Sequence, residues 1–294
     1  MPTPRRSALR ESAPAKVNLT LAVLGRRANG YHTLESLVAF AKLSDRLTFS
    51  PGGPLTLVMR GPNAAAAGPD TDNLVLKAAL ALAKNVRGLE VGRFTLTKNL
   101  PVAAGLGGGS SDAAAALRLL ARANRLALDD PRLRKAARAV GADVPVCLDP
   151  RPRLMRGIGE ILSAPIAIPR LAVVLVNPGV ALETKDVFTA FDRSSRGKRR
   201  GTMQAQKVPR ERDALPTFLD SHPNDLQPAA IKLQPAIAKV LAALRKSPGC
   251  RLARMSGSGA TCFGLYASSR AATVAARDIA AAHSHWWVRA DVLG

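Results

Sequence analysis

Sulfur and aromatic chemistry are scarce in this chain. Its 294 residues hold three cysteines, Cys147, Cys250 and Cys262, in no CxxC spacing. An odd, dispersed set argues against a disulfide framework and a structural zinc site, and suits a reducing, cytoplasmic compartment. The four histidines show no HExxH or clustered spacing, so no residue is put forward as a metal ligand. Aromatic residues make up only 4% of the chain. No uncharged apolar run reaches the roughly 18 residues of a membrane span. The first thirteen residues carry Arg5, Arg6 and Arg10 but no apolar core, so no secretory signal is expected. The expectation is a soluble protein that does not engage a membrane.

Acidic residues are also few. Against 43 Lys and Arg stand 21 Asp and Glu, a net charge of +22. Such a charge attracts nucleic acids and anionic metabolites alike. Part of it lies between Arg193 and Arg212, where eight basic residues accompany one acid, Glu211. No aromatic side chains interleave these charges to stack bases, which argues against nucleic acid as the partner.

What is present is an α/β-type alternation. Ala15–Leu24 alternates as a strand, with Val17, Leu19, Leu21 and Val23 on one face and Lys16, Asn18 and Thr20 on the other. Asn29-Gly30 signals a turn. Asp72 caps a helix running to about Val86, and Arg93–Thr97 is a short strand. Helices follow from Ser111 and from Pro131 to a stop at Gly141. Ser163–Pro169 has the composition of a hinge, after which Leu171–Val176 opens a second domain of strands and helices. Two α+β domains are expected, 1–165 and 166–294.

The sharpest motif is Pro101–Ser111 (PVAAGLGGGSS), placed before a helix. Gly105, Gly107, Gly108 and Gly109 let backbone N–H groups turn around an anion, Ser110 and Ser111 add hydroxyls, and the helix N-terminus adds its dipole. The loop is neither Walker A nor GxGxxG. A second cluster, Met255–Ala260 (MSGSGA), lies between two expected strands and suits a hairpin turn as well as a ligand loop. Asp143, among Ala142, Val144, Pro145 and Val146, is a half-buried carboxylate in a rigid turn, fit for a base or a charge partner. Lys16 is either a snorkelling edge residue or a cation for a transferred phosphoryl group.

Ala13–Asn18 (APAKVN), Pro101–Ser111, Gly141–Pro145 and Met255–Ala260 together resemble the GHMP kinase superfamily. Arg26–His32 (RRANGYH) narrows the resemblance to its members acting on cytidine-diphosphate-linked sugar alcohols in the non-mevalonate isoprenoid pathway. It implies a ribosomal protein S5 domain 2-like N-terminal domain and a ferredoxin-like C-terminal domain. By the same resemblance, Lys16 and Asp143 are the catalytic pair, with Asn18 nearby on the substrate side. Pro101, Val102, Ala103, Ala104, Gly105, Leu106, Gly107, Gly108, Gly109, Ser110 and Ser111 form the ATP phosphate loop, and Asn73 and Lys98 lie near the nucleoside. Tyr31 and Phe188 sandwich cytosine, His32 bonds its polar edge, and Gly257 and Gly259 close the substrate pocket. ATP arrives with Mg²⁺, for which no ligand residue is assigned. A monomer or weak homodimer is expected. The residues before Ala13 and the basic Arg193–Arg212 stretch match no functional motif of the family. Two other readings stand beside this one: a mevalonate, phosphomevalonate or homoserine kinase, and a basic nucleic-acid-binding protein.

Overall fold

The computed structural model describes residues 7–68, 72–194, 203 and 207–294. Most of the basic stretch singled out above, residues 195–202 and 204–206, lies outside the described residues. The first half of the chain forms β1 (Leu9–Asn18), β2 (Ala22–Arg26), β3 (His32–Pro51), β4 (Thr56–Arg60), α1 (Leu74–Ala83), β5 (Gly92–Thr97), α2 (Gly108–Ala123), α3 (Pro131–Val140) and α4 (Val144–Cys147). The second half forms β6 (Arg153–Gly157), β7 (Ile161–Leu162), β8 (Leu171–Asn177), α5 (Thr184–Ser194), α6 (Ala214–Asp220), α7 (Gln227–Leu233), α8 (Ala236–Lys246), β9 (Cys250–Met255), β10 (Cys262–Tyr266), α9 (Ser269–Ala282) and β11 (Trp287–Leu293).

These elements gather into two compact units that are not contiguous in sequence. One holds residues up to Ala15, Leu43–Val102 and Gly107–Pro150; the other holds Lys16–Lys42, Ala103–Leu106 and Arg151–Gly294.

In the first unit, the end of β3 pairs antiparallel with β5, which pairs parallel with β4. Phe49 and Phe94 meet across that register with ring centroids 4.6 Å apart. Helix α2 packs on α1, α3 and α4. Every residue from Ser111 to Ala121 on α2 is buried. A helix buried on all sides has no room for a polar face, and alanine, with the highest helix propensity and no rotamer entropy to lose, fills it. Asn73, not Asp72, caps α1: its Oδ1 accepts a hydrogen bond from the Val75 N–H at 2.9 Å. Asp130 caps α3 through the Arg132 N–H at 2.8 Å, with Pro131 in the first turn.

In the second unit, the order β9–β10–β8–β11 is antiparallel throughout, and the start of β3 pairs with β2 and β6. Strand β8 is buried along its whole length, as expected of an apolar run with helices to cover it. Its core joins Val174 and Val176 to Val240, Leu241 and Leu244 of α8 and to Ala272, Ala275 and Ile279 of α9.

The expected strand Ala15–Leu24 is two strands. β1 begins six residues earlier, at Leu9, and a break follows Asn18 before β2. Both faces are buried there. Lys16, Asn18 and Thr20 are as enclosed as Val17 and Leu19, so polar residues sit in the interior, where each needs a partner.

Candidate active site

Helix α2 starts at Gly108, three residues before the expected Ser111, so Gly108–Ser111 form its first turn rather than a loop. Gly107 stands at the N-cap in the left-handed region, φ 61° and ψ 22°, and no side chain caps the helix. The first N–H groups of a helix have no partner inside it. Those of Gly108, Gly109 and Ser110 are therefore available to an anion, with the helix dipole behind them. The Ser111 hydroxyl is not: it donates to the Pro14 carbonyl at 2.6 Å.

Beneath this turn lies a buried cluster that sequence reasoning missed. The Lys98 ammonium bonds Asp112 Oδ2 at 2.8 Å and also Asp45 Oδ2. Asp45 Oδ1 accepts from the Asn99 and Leu100 N–H groups at 2.6 and 2.8 Å. Burial works against the Lys98 charge, but Asp112 and Asp45 outweigh it and its pKa is raised. One ammonium cannot balance two carboxylates. Burial pushes the Asp112 carboxyl up to about 7 despite Lys98, with Asp45 adding to the rise. Asp112 Oδ1 is buried with no hydrogen-bond partner among the described residues, so nothing offsets the lost hydration of an anion there.

Ala103–Leu106 is held by the other glycine cluster and by β1. The Lys16 N–H donates to the Leu106 carbonyl at 2.8 Å, and the Thr261 N–H to the Ala104 carbonyl at 3.1 Å. The Ser256 hydroxyl donates to the Gly105 carbonyl at 2.9 Å and accepts from the Asn18 N–H at 3.1 Å. Gly105 has φ +73°, and a Cβ there would fall 2.6 Å from the Ser256 carbonyl. Met255–Ala260 is the turn between β9 and β10, as expected, and it holds the Ala103–Leu106 segment. Gly257 and Gly259 lie in that turn with φ +57° and +93°. Asn224 braces it, donating to the Met255 and Gly257 carbonyls at 2.9 and 2.8 Å.

Lys16 is 3% exposed on β1. Asn18 Nδ2 donates to the Ser36 hydroxyl at 2.7 Å. Asp143 stands at the N-cap of α4, half-buried as expected, and makes no cap bond to that helix. Pro145, in the first turn of α4, has no N–H in need of an acceptor, and the buried Val144, Val146 and Cys147 fix the helix in the core.

The Asn29-Gly30 turn forms as expected: Asn29 Oδ1 accepts from the Tyr31 N–H at 3.2 Å and Gly30 has φ +86°. It leaves Tyr31 60% exposed. His32 and Phe188 come together, ring centroids 4.7 Å apart and nearly parallel at 19°. His32 Nε2 is hydrogen-bonded to Asp192 Oδ1 at 2.7 Å. Asp192 is one helical turn beyond Phe188 on α5, a spacing that could have pointed to it once Phe188 was singled out.

The family model described as "GHMP kinases N terminal domain" matches residues 73–149, and that described as "GHMP kinases C terminal" matches 214–285. A 4-diphosphocytidyl-2-C-methyl-D-erythritol kinase of Xanthobacter autotrophicus is 55% identical over 289 residues, 97% of this chain and 99% of the relative. This chain belongs to the 4-diphosphocytidyl-2-C-methyl-D-erythritol kinase family. A kinase of the same name from Methylobacterium radiotolerans is 56% identical over 283 residues, 95% of this chain and 97% of the relative. A crystal structure of a 4-(cytidine 5'-diphospho)-2C-methyl-D-erythritol kinase superposes with a TM-score of 0.78 at 33% identity, covering 97% of this chain and 99% of that one. A homoserine kinase from Cytophaga hutchinsonii, TM-score 0.68 at 18% identity over 97% and 95% of the two chains, shows the shared fold alone. The α+β GHMP kinase fold expected from the sequence is the fold observed.

Membership in this kinase family implies use of ATP. The first turn of α2 fits its phosphates, since N–H groups and a hydroxyl are anion ligands. Among the described residues no group of three or more His, Cys, Asp or Glu could hold a metal ion. A magnesium ion would then depend on phosphate oxygens and water for much of its shell, as that ion commonly does.

Proposed function

We propose that the chain transfers the γ-phosphoryl group of ATP to the 2-hydroxyl of 4-diphosphocytidyl-2-C-methyl-D-erythritol in the non-mevalonate route to isoprenoid precursors. The observation that carries this reading is the 55% identity, over nearly the whole of both chains, to a kinase named for that substrate. Asp143 takes the hydroxyl proton, the oxygen attacks the γ-phosphorus, and the bond to ADP breaks. Lys16 offsets charge on the transferred group, and the N–H groups of Gly108, Gly109 and Ser110 hold the phosphates. Mg²⁺, bound through the phosphates, would neutralise charge on them.

Tyr31 and Phe188 sandwich cytosine, with His32 at its polar edge. With Nε2 engaged by Asp192, Nδ1 is the His32 atom that reads the base edge. Asn18, Gly257 and Gly259 serve the substrate side. Asn73 and Lys98 serve the nucleoside side through the backbone they order, because Asn73 Oδ1 caps α1 and the Lys98 ammonium is bound by two carboxylates. In this reading residues 1–165 supply the phosphate loop and catalytic pair, and 166–294 supply further substrate contacts. The protein works in the cytoplasm as a monomer or weak homodimer, without nucleic acid. Among the described residues no helix is long and apolar enough to cross a membrane.

The test is an ATP-coupled assay of purified protein against the CDP-linked substrate, mevalonate and homoserine. Turnover of the first alone is expected. Preference for either of the others would overturn the substrate assignment.

A further inference from the structure

We propose that Arg118 is a positioning residue for phosphoryl transfer: its guanidinium ties the helix that carries Asp143 to the Glu11–Ser12 segment of β1. The proposal rests on reading Asp143 as the base. Arg118 lies on α2 and is 8% exposed, on a stretch otherwise filled by alanine and leucine apart from Ser111 and Asp112 near its start. A buried arginine there costs more than a leucine would unless its nitrogens find acceptors. They find them on two different elements. Nη1 donates to the Cys147 carbonyl at 2.6 Å, Nη2 to the Ser12 carbonyl at 2.7 Å, and Nε to Glu11 Oε2 at 3.1 Å. Arg122 holds the other Glu11 oxygen at 3.1 Å.

The partner on α4 is the informative one. This helix is a single turn, with Asp143 at one end and Cys147 at the other. A carbonyl at the end of a helix has no acceptor role inside it and, when buried, needs a donor from elsewhere. Arg118 supplies that donor. Because one turn is short and stiff, where Cys147 is pinned decides where Asp143 stands. The same guanidinium grips Ser12, four residues before Lys16 on the same strand. The planar fork sets both directions at once, which a lysine ammonium cannot do. The first turn of α2 also carries the phosphate-binding N–H groups. One rigid helix therefore sets the phosphate turn, and through Arg118 the base.

The experiment compares Arg118→Met, Arg118→Lys and Glu11→Gln, with kcat normalised to folded protein and read well below every Tm. A misplacement of about 1 Å can cost on the order of 10²-fold in rate. Arg118→Met is expected to lower kcat about 10- to 100-fold with both KM values within about twofold. Arg118→Lys should recover part of that loss. Glu11→Gln should lower Tm but leave kcat near the parent, since the bond to Cys147 remains. An unchanged kcat in Arg118→Met, a kcat that tracks Tm across all three variants, or loss of folding in both Arg118 variants would each overturn the proposal. A near-normal kcat in Asp143→Asn removes the base reading, and a parent inert toward the CDP-linked substrate removes the function; either takes this proposal with it. An active parent with a silent Arg118 removes only Arg118.

Discussion

Asp143→Asn keeps the size of the side chain and removes its basicity, so it isolates the proton transfer. A fall in kcat of at least ~10²-fold is expected, with ATP affinity nearly unchanged; a general base commonly contributes that much. Lys16→Met keeps the buried stem and removes the ammonium, and should lower kcat while the thermal midpoint holds. For the substrate side, His32→Ala should raise KM for the CDP-linked substrate roughly 10- to 100-fold and leave KM for ATP alone, because a lost base-edge hydrogen bond costs about 1–3 kcal/mol. An unchanged KM would take His32 out of recognition. At this scale the sequence was informative where chemistry is local. Lys16, Asp143 and the glycines stand in short motifs whose residue types already suggest phosphate handling. It was silent where partners lie far apart in the chain. Asp45 is 53 positions from Lys98 and Asp192 is 160 from His32, and an aspartate on a surface or a strand carries no mark of the cation it will meet.

Helix α2 is the element on which the proposed phosphate turn depends, and Gly107 at its N-cap stands in the left-handed region. A β-branched residue at that φ is strained, so Gly107→Val should abolish ATP binding by calorimetry with the fold retained. At Gly108, already helical, an added Cβ would come no nearer than 3.5 Å to the Lys98 ammonium, and Gly108→Ala should be milder. If the two variants bind ATP equally well, the turn is only a connector. The helix itself was easy to foresee from its alanine and leucine spacing, but not its first residues. Glycine has poor helix propensity, and three in a row hid a first turn that the helix N-terminus nonetheless includes. The same kind of miss occurred on β1 and β2. Alternation correctly predicted extended chain around Lys16 and Asn18 with a polar face, yet it could not name that face's partners. That face is dry because side chains such as Ser36 and Ser256, from distant segments, satisfy it.

For the whole molecule, the buried cluster under α2 links stability to pH. Asp112 titrates at about 7 in the fold against an ordinary 3.8. Between those values the unfolded chain has lost this proton and the folded chain still holds it. Stability from this group is therefore complete below the lower value, declines as pH rises, and levels off above the upper one. Across melts from about pH 5 to 8, the parent should lose midpoint relative to Asp112→Asn. A difference that stays flat would mean the carboxyl is ionised throughout. Division of the chain was the least legible feature. Composition suggested a hinge at Ser163–Pro169, whereas each compact unit draws on several separate stretches, and no local signal marks a strand such as β3 that serves both. The scarcity of cysteine has a practical return at this scale. Cys147 and Cys262 are fully buried, one in each unit, and burial raises the Cys262 thiol well above its ordinary range. In the closed protein neither sulfur can meet an alkylating reagent. Each becomes a clock that starts only when its surroundings open, and Cys147 times the very turn that carries Asp143.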